Sequence, residues 1–328
     1  MHHIGFFVCL DHRVLDLAGP LGAFEEANGF VEGGAYRLTV ISESGGVVVG
    51  SSGVSIHTQS FRTQQFDTVI FIGGEIDAFQ NPAAIAAAKD LAARTARIAS
   101  VCTGAFLLAA AGLLDGHRAT THWRLAPELQ QRYPLIRVEA DRIFVVDDNI
   151  WTSAGITAGI DLALALIETD FGINIAREVA RELVVPYRRS GGQSQFSAMS
   201  QMEPDSDRIR MALAFARDHL VEPLPIERLA EAARLSVRQF GRAFRRQTGE
   251  TPAKAVERLR VEAACSRLQG GSEPIEQIAK AVGFSDPERM RRAFVKLHGH
   301  PPQAVRRAGR QENAVYAIQQ GHGGATKE

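Results

Sequence analysis

The sequence predicts two folded parts: a three-layer α/β domain with a parallel sheet, followed by an all-α domain with two helix-turn-helix motifs. In about the first 170 residues, short apolar runs alternate with segments rich in Ala and Leu. Apolar strands separated by helices indicate a parallel sheet that is covered on both faces. In the last third of the chain, one pattern of two short helices occurs twice, which indicates a duplicated motif.

The elements of the first domain follow from short β-branched runs and longer helical patterns. Strands are predicted at residues 4–10, 36–41, 68–72, 97–101 and 143–146. Helices are predicted at residues 15–28, 82–94, 104–113, 123–132, 157–169 and 174–183. We therefore predict an α/β domain at 1–185, a polar linker at 186–206, the all-α domain at 207–309 and a disordered, glycine-containing tail at 310–328.

Charge is divided between the two parts. Residues 1–206 contain 15 Lys and Arg against 23 Asp and Glu, a net charge of −8. Residues 207–309 contain 20 against 12, a net charge of +8. A cationic domain beside an anionic one is typical of a nucleic-acid-binding module attached to a partner that does not bind nucleic acid.

The chain shows neither a signal peptide nor an apolar run long enough to span a membrane. Its three cysteines have no metal-ligand spacing and no paired framework, and Cys9 and Cys265 are predicted to be core residues. We expect a cytoplasmic protein, associated with the bacterial nucleoid through DNA, with reduced thiols and with no metal, cofactor or membrane partner.

The duplication defines the second domain. Pro225–Ala232 recurs 49 residues later as Pro274–Ala281, and Arg242-Ala243-Phe244 recurs as Arg292-Ala293-Phe294. Each copy has a short apolar helix, a turn and an arginine-rich helix, which is the outline of a helix-turn-helix. The second helix of such a motif enters the major groove of double-stranded DNA, so we call these two helices the reading helices.

Caps and apolar spacing predict which residues of the reading helices face DNA. Ser236 or Asp286 caps each helix, while Phe240 with Phe244, and Met290 with Phe294, face the core. The predicted DNA-binding residues are Arg238, Gln239, Arg242, Arg245, Arg246, Glu288, Arg289, Arg291, Arg292 and Lys296. Further phosphate contacts are predicted at Arg258, Arg306 and Arg307. A helix at Pro252–Gln269, roughly 25 Å long, would hold the motifs about one DNA turn apart.

The second domain resembles the AraC/XylS family of transcriptional regulators over residues 209–307. The resemblance rests on the Ile-Ala-x-x-x-Gly-Phe-Ser-Asp run at 278–286 and on Gly-x-Pro-Pro at 299–302. Glu288 stands where the family often has Ser. The resemblance implies sequence-specific binding to double-stranded DNA.

A strand-to-helix turn at Ala99–Ala105 has Cys102 at its apex, which parallels the nucleophile elbow of hydrolases. At a helix N-terminus we expect the dipole to lower the pKa of the thiol. Neighbouring strand ends supply a carboxylate, a glycine turn with free backbone amides and a histidine. The predicted ligand-binding residues are Asp16, Gly73, Gly74, Glu75, Cys102, Thr103 and His122.

The first domain resembles the PfpI, or class I glutamine-amidotransferase-like, superfamily over about residues 3–180. With the second domain, nearly the whole chain resembles GlxA-type regulators. The resemblance implies a flavodoxin-like fold, Asp16 as acid partner of Cys102, a homodimer formed through the α/β domain, and a nitrogenous effector. Hydrolytic relatives carry His directly after the cysteine, whereas this chain has Thr103, so we expect no catalytic residues.

The predicted function is therefore a transcriptional regulator that binds a small molecule at the carboxyl ends of the strands. Two alternatives remain open at this stage. One is a Cys-dependent amidase or hydratase that carries a DNA-binding domain. The other is an architectural DNA-binding protein with an inert α/β dimerisation domain.

Overall fold

In the computed structural model, an eight-stranded sheet forms the centre of the first unit, and the chain divides into two compact units near residue 195. The structure describes residues 1–185, 202, 204, 206–270, 273–298 and 300–307. The strands are β1 His2–Phe7, β2 Tyr36–Ser42, β3 Gly46–Val49, β4 Ser55–Ser60, β5 Thr68–Phe71, β6 Arg97–Val101, β7 Arg118–Ala119, β8 Arg137–Val138, β9 Phe144–Asp147 and β10 Ile150–Ser153.

The sheet order is β3-β4-β2-β1-β5-β6-β10-β9, and the six central strands run parallel. Both edge strands, β3 and β9, are antiparallel to their neighbours. The strand predicted at 143–146 is thus antiparallel rather than part of the parallel set, because a tight turn with Asp148 at φ 54° joins β9 directly to β10. β7 and β8 form a separate two-stranded sheet.

Helices cover both faces of the sheet, as the alternation predicted. The helices are α1 Val14–Ala27, α2 Pro82–Ala93, α3 Gly104–Ala110, α4 Ala126–Arg132, α5 Ala158–Phe171 and α6 Ile173–Glu182. Successive residues of β1 point to opposite faces of the sheet and belong to different cores. Phe6 packs with α1, α5 and α6, whereas Phe7 packs with α2, α3 and α4. The three-layer arrangement is confirmed.

Some elements of the first unit were not predicted. The β3–β4 hairpin and β10 were missed, although β10 is buried and pairs with β6. The hairpin was missed because most of its residues are exposed or half-buried, so it lacks an apolar run. Two of its valines, Val47 and Val49, remain exposed.

The described part of the second unit contains a helical segment at 302–307 and six longer helices. The longer helices are α7 Asp207–Asp218, α8 Ile226–Ala232, α9 Val237–Thr248, α10 Pro252–Gly270, α11 Ile275–Ala281 and α12 Pro287–His298. α8 with α9, and α11 with α12, are the two helix-turn-helix motifs, so α9 and α12 are the reading helices. The fold class, an α/β unit followed by a helical unit, is as predicted.

α10 contributes to the cores of both motifs. Val256 and Leu259 pack in the core that holds Phe240 and Phe244, whereas Val261 and nearby residues pack in the core that holds Phe294. Its 19 residues correspond to roughly 28 Å.

The proposed boundaries at 186–206 and 310–328 fall mostly outside the described residues. Within the predicted linker, however, Met202 is 1% exposed and belongs to the core of the second unit. The second unit therefore extends further towards the N-terminus than residue 207.

Candidate functional site

The turn between β6 and α3 holds Cys102 in a left-handed backbone conformation, with φ 56°. Such a φ is rare for a residue with a side chain, and strain of this kind is concentrated at functional sites. The turn packs so tightly that a Cβ on Gly155 would lie 2.1 Å from the Cβ of Cys102, and one on Gly104 would lie 2.1 Å from the carbonyl oxygen of Phe71. Gly104 and Gly155 therefore allow the backbone to pack closely around Cys102.

Asp16 reaches the elbow from the first turn of α1, and it is fully buried. Its Oδ1 accepts a hydrogen bond of 2.5 Å from the backbone N–H of Ile156, while Oδ2 makes no hydrogen bond of regular geometry. Asp16 Oδ2 and Cys102 Cβ lie 2.4 and 2.8 Å from the point where Gly73 would carry a Cβ. The absence of a side chain at Gly73 thus lets the carboxyl and the thiol meet.

Burial governs the protonation of this pair. Desolvation raises the pKa of Asp16, and the hydrogen bond from Ile156 and the thiol of Cys102 offset only part of that effect. Desolvation, followed by the charge of Asp16, raises the pKa of the Cys102 thiol above that of an ordinary cysteine. The expectation of a lowered thiol pKa is therefore wrong, because the cost of burying a thiolate exceeds any stabilisation at the start of α3.

The side chain of Thr103 forms two hydrogen bonds with the backbone of the neighbouring glycine turn. Its Oγ1 donates to the carbonyl oxygen of Gly74 at 2.7 Å and accepts from the Gly74 N–H at 2.8 Å. The prediction that Gly74 offers a free amide to a ligand is wrong, because Thr103 already occupies that N–H. The hydroxyl of Thr103 is likewise committed to the backbone.

A cavity of about 380 Å³ opens above Cys102. Its walls come from the loops that follow β1, β5, β6, β7 and β10. The residues that line it are Arg13, Gly74, Glu75, Ile76, Cys102, Thr103, His122, Arg124, Leu125 and Ile156. Glu75, Cys102, Thr103 and His122 thus line the cavity together, while Asp16 and Gly73 lie beneath it in contact with Cys102.

Charge at the mouth of the cavity is mostly positive. Arg13 pairs with Glu75 at 3.3 Å, whereas Arg124 has no ion pair among the described residues. Burial, followed by the charges of Arg124 and Arg13, lowers the pKa of His122. Neither arginine was predicted as a site residue, although Arg13 stands three residues before Asp16 and Arg124 two residues after His122.

The first reading helix, α9, presents an unneutralised cationic face. Arg238, Arg242, Arg245 and Arg246 are exposed, and none has an ion pair within the described part of the chain. Gln239 is different, because its side chain accepts from the backbone N–H and hydroxyl of Ser236 in a capping box. Gln239 therefore has a structural role at the helix start, and its contact with a base remains a prediction.

The second reading helix, α12, is partly neutralised. Asp286 caps it by accepting from the backbone N–H of Arg289 at 2.8 Å. Arg291 donates to both carboxylate oxygens of Glu288 at 2.7 and 2.8 Å, and Lys296 pairs with Glu257 of α10 at 2.9 Å. Arg292 is exposed, as predicted.

Two of the further phosphate contacts predicted are engaged elsewhere. Arg258 pairs with Glu250 at 3.1 Å, and Arg306 donates to the backbone carbonyl of Glu273. Arg307 is exposed. Over the described ranges there is no cluster of three or more potential metal ligands, and no helix there is long and apolar enough to cross a membrane.

Comparison with protein families gives two matches. Residues 3–169 match the model of the DJ-1/PfpI family, and residues 229–308 match a helix-turn-helix domain. The first match covers the α/β unit with Cys102, and the second covers both reading helices.

Three relatives span different parts of the chain. HTH-type transcriptional regulator ArgR of Pseudomonas aeruginosa is 30% identical over 75% of this chain and 74% of its own. GlxA of Rhizobium meliloti, also named an HTH-type transcriptional regulator, is 28% identical over 94% of this chain and 96% of its own. An isonitrile hydratase of Pseudomonas putida is 45% identical, but over only 29% of this chain and 40% of its own.

Among solved structures, a THiJ/PfpI family protein of Pseudomonas syringae has a TM-score of 0.51 at 26% identity. It covers 71% of this chain and 89% of its own. Its likeness agrees with the α/β fold described above.

Proposed function

The chain belongs to the DJ-1/PfpI family and joins that domain to an AraC-type helix-turn-helix domain, and from this premise we propose that the cavity above Cys102 is the effector site of this transcriptional regulator. The relatives that span most of the chain are HTH-type transcriptional regulators. In this proposal the protein acts in the cytoplasm as a homodimer, and a small molecule controls its affinity for DNA.

The cavity at the elbow is the observation that carries the proposal. It lies at the carboxyl ends of parallel strands, where open α/β sheets bind ligands. Its floor includes the thiol of Cys102, and the buried carboxyl of Asp16 lies beneath the cavity against that thiol.

The charges favour a ligand that bears a carboxylate and a nitrogen. Arg124 offers a guanidinium without an ion pair among the described residues, which suits a carboxylate. Glu75 can accept a hydrogen bond from a ligand ammonium while it still contacts Arg13. We therefore propose amino acids or their derivatives as the effector class.

An enzyme is the second candidate, because the isonitrile hydratase aligns with part of the chain. Two features oppose it. The raised pKa keeps Cys102 in the thiol form, which is a weak nucleophile. The adjacent Thr103 is bonded to Gly74 and supplies no general base.

A thermal-shift screen tests the proposal. The full-length protein is heated with single amino acids, their N-methylated derivatives and a set of amides and isonitriles. We expect a carboxylate-bearing amine to raise the Tm, since a ligand at 100 times its Kd stabilises by about 2.7 kcal/mol. Arg124→Gln and Cys102→Ser should each weaken that response.

Arg181→Gln is the matched control, because Arg181 is a surface residue on α6 whose side chain is 78% exposed. It should respond as the wild type does. Multiple turnover of an amide or isonitrile by wild type but not by Cys102→Ser would favour the enzyme. Operator binding that no bound compound changes would favour an architectural DNA-binding protein.

A further inference from the structure

The two reading helices share one register. Each follows a capping residue, Ser236 or Asp286, and each buries a phenylalanine eight positions after the cap, Phe244 or Phe294. Each residue of α9 therefore corresponds to the residue of α12 numbered fifty higher. This correspondence identifies where the duplicated motifs differ in chemistry.

The sharpest difference is at the second position after the cap, where α9 has Arg238 and α12 has Glu288. Both side chains are exposed in the first turn of their helix. The N-terminal residues of a recognition helix are the ones that contact base edges. Equivalent positions of the two motifs thus present a donor in one case and an acceptor in the other.

We propose that Arg238 reads guanine and Glu288 reads the amino group of cytosine, so that the two half-sites of the operator carry different bases at equivalent positions. The proposal rests on the DNA-binding function and not on the effector site. It makes Glu288 a specificity-determining residue, although a carboxylate faces a polyanion there.

Contacts within α12 hold the Glu288 carboxylate in place. Arg291 donates from Nε and Nη2 to its two oxygens. These bonds, joined by the charges of Arg291 and Arg292, lower the pKa of Glu288, so the group is an ionised acceptor. A carboxylate has about four acceptor sites, so two remain for a base.

The chemistry of the major groove makes this arrangement selective. Cytosine presents an amino donor there, and guanine presents only acceptors. An ionised carboxylate therefore accepts from cytosine and repels guanine at the same position. An arginine in the equivalent place has the reverse preference, because guanidinium bonds to guanine O6 and N7.

The other charged residues of the two reading helices also differ between α9 and α12. The four arginines of α9 have no ion pairs among the described residues, while Arg291 and Lys296 of α12 each have one. We therefore expect α9 to supply most of the attraction to phosphates. α12 contributes less affinity and more discrimination between bases.

Selection from a pool of random double-stranded DNA tests the proposal with the full-length protein. Each protomer of wild type should select two unlike half-sites, one with guanine and one with cytosine at the equivalent position. Glu288→Gln should lower the preference for cytosine over guanine by at least about fivefold, because an amide also offers a donor. Arg238→Gln should lower the guanine preference in the other half-site alone.

Glu273→Gln is the matched control. Glu273 binds Arg267 through the same two-bond geometry, at 2.9 and 3.0 Å, but it precedes α11 and lies outside the reading helices. It removes the same charge, so it should leave both base preferences unchanged. Identical half-sites for the two motifs of one protomer, or an unaltered cytosine preference in Glu288→Gln, would overturn the proposal. Selection of no site by wild type would instead count against DNA binding itself.

Discussion

The carboxyl of Asp16 lies against the thiol of Cys102, and both residues are buried, Asp16 with 0% and Cys102 with 3% of its surface exposed. Gly73 makes the contact possible because a side chain there would overlap both groups. The charge of an ionised Asp16 raises the pKa of the Cys102 thiol, whereas the thiol, as a hydrogen-bond donor, partly offsets the raised pKa of Asp16. The pair is therefore most stable with at most one negative charge.

Asp16→Asn tests the protonation of this site. The pKa of Asp16 is raised in the folded state, so its ionisation destabilises the fold as pH rises through the folded pKa. Asparagine keeps an acceptor for the Ile156 N–H but cannot ionise. We expect the free energy of unfolding of Asp16→Asn to exceed that of wild type by a margin that grows as pH rises above 3.8, the ordinary pKa of an aspartate, and that levels off above the raised pKa of the folded state.

Denaturant unfolding at several pH values measures this margin. The control is Asp115→Asn, which removes an exposed carboxylate elsewhere in the same unit. A margin that shrinks with rising pH in Asp16→Asn would show that the buried carboxyl is stabilised in its ionised form.

Cys102 should react slowly with alkylating reagents. The thiolate is the reactive form, and burial with Asp16 beside it raises the thiol pKa. We expect native protein to be alkylated by iodoacetamide at Cys102 at least about tenfold more slowly than unfolded protein. Peptide mass spectrometry separates Cys102 from Cys9 and Cys265, and equal rates in the two states would contradict the buried, protonated thiol.

Arg242 and Arg292 should contribute to sequence preference. Both are exposed at the sixth position of their reading helices. Arg242→Ala and Arg292→Ala should each reduce the preference for operator over random DNA by about 1–3 kcal/mol. Arg307→Ala, exposed outside the reading helices, should weaken both kinds of DNA alike. An unchanged preference in both helix variants would restrict these arginines to phosphate contacts.

Gly283 should be irreplaceable in the turn between α11 and α12. It has φ 86°, and an added Cβ would lie 1.9 Å from the carbonyl oxygen of Leu220. Gly249 has φ 75°, but a Cβ there would have no neighbour within 4 Å. Gly249→Ala should therefore cost about 1–2 kcal/mol for its backbone alone, and Gly283→Ala clearly more. Equal changes in the free energy of unfolding would refute the close contact.

The sequence predicted most of the fold because its signals are local. Capping by Ser236 and Asp286, burial of Phe240 and Phe294, and the alternation of strands and helices all depend on short-range patterns. The β3–β4 hairpin was missed because a half-exposed edge strand has no continuous apolar run.

The site was harder to predict because its chemistry depends on burial and distant contacts. No local pattern reveals that Thr103 bonds to Gly74, or that desolvation outweighs the helix dipole at Cys102. Likewise, Gln239 has the right chemistry for a base, and only the structure shows its side chain bonded to Ser236. Arg124 was missed because an exposed arginine has no signal of its own.

Reciprocal linkage between effector and operator is the most direct test of the central claim. A compound that raises the Tm through the Cys102 cavity is titrated into the full-length protein with and without operator DNA, and the operator Kd is measured with and without the compound. We expect the two affinities to change by one common factor of about 5–150 in wild type, as thermodynamic coupling requires, and by a smaller factor in Arg124→Gln. A common factor of one in wild type, with the compound bound at the cavity, would contradict control of DNA binding from this site.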